Sequence, residues 1–171
     1  MTGLRRGSSA RILPTMRAAL ALAFILFAAP ALAQYWTHYA NARFGYEIDA
    51  PPGFEHGGES ANGDGQTFYD LEAEQGLRVW GGYFLDGFEA EAATAVTQAT
   101  AEMWSITNQS LTPQWASFTA QRDHRIMVQR MIGLCDGASY AAFRLEFNMG
   151  DLSRMDAVID GLARSFRPSN C

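Results

Sequence analysis

The sequence contains no lysine, only two cysteines and three histidines among its 171 residues. Each scarcity excludes something. Without lysine there is no P-loop, and the glycines do not form GxGxxG, so phosphate cradles of those types are ruled out. Two cysteines are too few for a small disulfide scaffold or a four-cysteine zinc site. His38, His56 and His124 form no HExxH pair, and none lies at metal-ligand spacing from another ligand. No GxSxG or other serine-nucleophile signature occurs. Thirteen arginines against eighteen acids give a net charge of −5, which argues against a nucleic-acid partner. The longest apolar run, Ala18 to Ala29, has twelve residues. A membrane span needs about 20.

That short run sits in a different pattern. Arg5, Arg6, Arg11 and Arg17 precede it with no acid, and Pro30-Ala31-Leu32-Ala33 follows with small residues at −3 and −1. This reads as a secretory signal peptide over residues 1–33, cleaved after Ala33, with Met1 or Met16 as the start. The expectation is a periplasmic or secreted chain with no membrane span after processing. Residues 34–171 then carry nine arginines against eighteen acids, a net charge of −9. The stretch 44–121 holds twelve of those acids and a single arginine, Arg78. At 48% apolar and 18% charged residues, the composition is that of a folded domain.

Periodicity then predicts the elements. Phe44, Tyr46 and Ile48 alternate with Gly45, Glu47 and Asp49, a half-buried strand that Pro51-Pro52-Gly53 stops. Glu55 to Gly65 holds four glycines and reads as a surface loop. Strands follow near Gln66–Glu72 and Leu77–Phe84. In the second of these, Gly81 and Gly82 leave room for a close neighbour, most simply a helix. Asp86 and Glu89 have capping-box spacing. Phe88, Ala92, Ala95, Val96, Ala99 and Met103 then mark one face of a helix. Thr107 to Pro113 reads as a connection. Strands are expected over Gln114–Gln121, His124–Leu134 and Ser139–Phe147. A final helix spans Leu152–Phe166, with Met155, Val158, Ile159, Leu162 and Phe166 on its apolar face. The class is α+β: an antiparallel sheet of about six strands covered by two helices, in the order β-β-β-α-β-β-β-α, as a single domain over 34–171.

Several fragments carry a resemblance. Ala42-Arg43-Phe44-Gly45-Tyr46, Pro51-Pro52-Gly53-Phe54, Asn62-Gly63-Asp64-Gly65 and the Ala-Arg-Ser-Phe ending at 163–166 resemble small exported bacterial proteins of the PsbP-like fold. That group includes a photosystem II extrinsic subunit and a Ran-binding nuclear transport factor. The resemblance implies the fold and binding or assembly roles that differ between members. It transfers no functional residue.

The residues support no catalytic, cofactor or metal site. Glu59 to Gly65 has oxygen ligands but not the EF-hand spacing, and Asn-Gly and Asp-Gly are turn formers. Cys135 and Cys171, both in the exported part, are expected to form a disulfide that ties the C-terminus to the sheet. Trp36 and Tyr39 outside the first strand, with His56 and Asp64 of the Gly-rich stretch, form the candidate binding surface. The leading expectation is a non-catalytic exported domain that binds or assembles with an envelope protein or a small ligand. The alternative is a small periplasmic hydrolase built on scattered carboxylates and His56.

Overall fold

The computed structural model describes Tyr35–Ser169 and Cys171. The proposed signal segment therefore lies outside the described residues. Among the described residues ten strands and two α-helices follow in chain order. They are β1 (Thr37–Asn41), β2 (Tyr46–Ala50), β3 (Glu55–Glu59), β4 (Gly65–Asp70) and β5 (Gln75–Tyr83), then α1 (Phe88–Ala101). Next come β6 (Ser105–Leu111), β7 (Trp115–Arg122), β8 (Arg125–Gly133) and β9 (Ser139–Asn148), then α2 (Leu152–Ser165) and β10 (Arg167–Pro168). The class is α+β, with strands in two antiparallel sheets. The larger runs β3-β4-β5-β9-β8-β7-β6 and the smaller β1-β2-β10.

The alternation of β9 explains the layering. Ala141, Phe143, Leu145 and Phe147 point to one face of the large sheet, where they meet Tyr46 and Ile48 of β2 and Met155 and Leu162 of α2. Tyr140 and Ala142 point to the other face, beside Met131 of β8 and Phe88 and Ala92 of α1. Ala99 of α1 continues that layer against Phe118 and Met127. A central strand buried on both faces reads as apolar on both sides, as β8 does, whereas β5 buries only the face of Leu77 and Val79. Each large side chain buried here contributes about 1.5–3 kcal/mol relative to exposure.

The sheet holds more strands than periodicity indicates. The lead-in before Phe44 is β1, which pairs with β2 from Thr37↔Ala50 to Asn41↔Tyr46. The Gly-rich stretch contains β3, an edge strand with a bulge between His56 and Gly58 and every side chain exposed. The expected connection after α1 is β6, the opposite edge, also mostly exposed. Edge strands are held by backbone pairing and need no apolar face, so alternation misses them. Two further expectations are corrected. The residue before α1 is Gly87, at φ 92°, and no side chain caps the helix, so Asp86 forms no capping box. Gly81 and Gly82 admit aromatic rings and not a helix: a Cβ on Gly81 would strike Phe44, and one on Gly82 would sit 2.8 Å from the Tyr140 hydroxyl oxygen.

The expected disulfide is present, with Cys135 and Cys171 Cα atoms 5.5 Å apart. Cys135 lies in the turn after β8. Asp136 shapes that turn, its Oδ1 accepting from the backbone N–H groups of Ala138 (3.0 Å) and Ser139 (2.9 Å). The bridge draws the tail beyond β10 onto this turn.

Candidate functional site

Helix α1 packs toward β6 and β7. It leaves part of the same sheet face, over β4, β5 and β9, open as a groove of about 350 Å³. Strand register lays out the floor. Thr67, Arg78, Arg144 and Gln129 stand in one row across four strands, each opposite the next. The neighbouring row is Gly65, Trp80, Ala142 and Met131. The wall is one stripe of α1: Glu91, Ala95, Gln98, Ala99 and Glu102. These recur at i, i+4, i+7, i+8 and i+11, the spacing of a single helical face.

The two ends of the groove differ in charge. At one end Tyr140 is buried with Glu91 beside it. Burial, followed by the Glu91 and Asp64 carboxylates, pushes the Tyr140 phenol up to about 12. At the other end Arg144 makes ion pairs with Glu102 (2.9 Å) and Glu146 (3.0 Å). Its guanidinium lies 5.6 Å from the ring centre of Trp104, and that of Arg122 lies 4.4 Å from it. Trp104 is 2% exposed. It reaches that place because Met103, at φ 66°, ends the helix in a left-handed turn whose next N–H returns to the Ala99 carbonyl. Arg122 donates to the Glu102 carbonyl at 2.9 Å, so both cations sit at the negative end of the α1 dipole.

Arg78 stands apart. It lies directly opposite Arg144 in the sheet, an arrangement of like charges that costs stability. Its guanidinium is 5.6 Å from the Trp80 ring centre. Among the described residues no acid lies within ion-pair distance of it, nor does any cation pair with Glu91. A second depression continues from this end, where Arg78, Arg122, Arg125 and Arg144 stand with Glu102 and Glu146.

No family model matches this sequence, and no curated protein sequence does. Solved structures do match. The solution structure of cyanobacterial PsbP (CyanoP) from Synechocystis sp. PCC 6803 superimposes with a TM-score of 0.61 at 16% identity, covering 82% of this chain and 96% of that one. The Ran-binding protein Mog1p of Saccharomyces cerevisiae superimposes with a TM-score of 0.59 at 10% identity, covering 80% of this chain and 97% of that one. The chain has the PsbP-like fold. At these identities the likeness speaks for architecture alone.

Within the PsbP-like fold the four residues of the expected binding surface are placed as follows. Asp64 lines the groove. Its carboxylate accepts from the Ser60 hydroxyl (2.5 Å) and the Asn62 amide (2.8 Å), which hold it below the usual carboxylate range. Tyr39 is 9% exposed and packs edge-on against Tyr46 and Phe68. His56, on β3, is exposed, with its ring 5.0 Å from Phe68 and its Nδ1 against the Gln66 amide. Trp36 lies away from these, its indole over Gly161 of α2. Tyr39 and His56 share Phe68, and the loop before β4 is tied down by hydrogen bonds from Asn41 to Gly63 and from Tyr46 to Asp64. The residues that sequence reasoning missed are Arg78, Trp80, Glu91 and Arg144. Their only signal was the isolation of Arg78 among twelve acids. Among the described residues no group of three His, Cys, Asp or Glu is placed to hold a metal ion, and no helix is long and apolar enough to cross a membrane.

Proposed function

We propose that the chain is exported, loses residues 1–33 and acts in the periplasm or outside the cell as a single-domain, non-catalytic binding protein whose ligand sits in the groove beside α1. The observation that carries this is the groove itself, with charged side chains from both helix and sheet standing over an uncovered floor. A pocket with a few placed polar groups is the usual form of a small-ligand site. The disulfide fits an oxidising compartment. The fold is shared with a protein named for binding Ran. The hydrolase reading draws no support from the groove, which His56 does not line.

The test is a small-molecule screen of the purified protein by thermal shift, repeated on Gln98→Trp. That change fills the groove from an exposed helix position. Ligands that stabilise the parent and not the variant support the proposal. Ligands that stabilise both equally place binding elsewhere, and turnover in a broad hydrolase substrate panel would sink the non-catalytic reading. Processing is checked separately by intact mass of protein recovered from cells, which should begin at Gln34.

A further inference from the structure

We infer that the groove takes a short peptide with free termini, its carboxylate at Arg78 and its ammonium at Glu91. This rests on the groove being the binding site and adds the class of ligand. Arg78 and Glu91 are charged groups of the same groove that make no ion pair among the described residues. Arg144 and Glu102, between them, satisfy each other at 2.9 Å. Arg78 and Glu91 are held at opposite ends, while Glu59 and Asp64, which also make no ion pair among the described residues, line the β3–β4 side. Glu91 stands beside Tyr140, and Arg78 stands opposite Arg144. Tyr140 and Arg144 are four residues apart on β9, about 13 Å of strand.

Charge complementarity then selects the ligand. A plain anion drawn to Arg78 would also face Glu59, Asp64 and Glu91 along the same groove. A plain cation drawn to Glu91 would face the Arg78–Arg144 pair. A neutral ligand would leave both Arg78 and Glu91 without a charge partner. A ligand with separated opposite charges satisfies both ends, and complementary ends also fix its direction. An extended tripeptide places its ammonium and carboxylate roughly 10 Å apart, which matches the strand spacing once the two side chains reach inward. A guanidinium suits a terminal carboxylate because it donates two parallel hydrogen bonds. The groove between the charged ends offers Gln98, Gln129 and Thr67 to peptide groups and the Trp80 ring to a side chain.

The experiment titrates the purified protein with trialanine while Trp fluorescence and calorimetry report binding. N-acetyl-trialanine and trialanine amide are titrated alongside, against the parent, Glu91→Gln and Arg78→Gln. In the parent each cap should weaken binding at least about tenfold. Acetylation should make no further difference in Glu91→Gln, and amidation none in Arg78→Gln. That crossed pattern cannot arise from general loss of structure, and unchanged melting temperatures of both variants confirm that they fold. Caps without effect, or no binding of trialanine up to about 10 mM, would overturn the inference. If the Gln98→Trp screen still yields groove ligands in that event, the groove stands as a binding site for another chemistry. If it yields none, both readings fall.

Discussion

Two glycines make room for aromatic rings. Phe44 lies where a Cβ on Gly81 would be, and the Trp36 indole lies where one on Gly161 would be. Gly81→Ala therefore forces the Phe44 ring off β5, and overpacking of this kind costs about 1–3 kcal/mol. Urea unfolding should show the midpoint fall with an unchanged slope. The sequence marks Gly81 as a place of close approach but not what approaches, because the ring that fills it comes from the loop before β2. A second residue acts through its charge. Backbone N–H donation from Ala138, then the Ser139 hydroxyl, holds the Asp136 carboxyl below its ordinary range. A depressed carboxylate stabilises the fold above the unfolded pKa of about 3.9, and that contribution is lost as pH falls through the folded value. The melting temperature should therefore drop on acidification below about pH 4, and Asp136→Asn should drop less over the same window.

Helix α2 was fully legible as an element. Its spacing names Met155, Leu162 and Phe166, all buried, with Val158 and Ile159 packed at the edge of the same cluster. Leu162 is 0% exposed. Leu162→Ala should cost about 2–5 kcal/mol. Ser153→Ala on the exposed side should stay within about 0.5 kcal/mol. Equal effects on chemical denaturation would mean that the helix face is misassigned. In α1 the periodic face holds at Phe88, Ala92 and Ala99 and fails at Met103, which is 78% exposed while Trp104 goes inside. A left-handed residue at the helix end resets the phase, and nothing in a run of apolar residues announces that reset. Strands β7 and β9 were placed within a residue or two because they alternate, and β8 because its apolar run is bounded by turn residues on both sides. Strands β3 and β6 were missed because pairing along one edge is all that holds them.

At the level of the whole molecule, two layers of packing flank the large sheet, and the groove arises because α1 is too narrow to cover its face. Neither that mismatch nor the Arg78–Arg144 pairing was legible. Cross-strand partners 66 residues apart depend on a register that one chain without its fold does not display. The disulfide was legible, since only two cysteines exist and both lie in 34–171. It closes a loop with a sequence separation of 36. Loop closure of that size is worth roughly 3–4 kcal/mol, so reduction should lower the melting temperature, and Cys135→Ser should match the reduced parent without further change on adding reductant. The bridge also turns the last part of the chain into a covalent ring that contains β9 and α2. Proteolytic nicks at the exposed Gly137 or Gly150 would open this ring without releasing a fragment. A nicked molecule would then keep its mass, plus one water per cut, under oxidising conditions and fall into pieces only when a reductant is added.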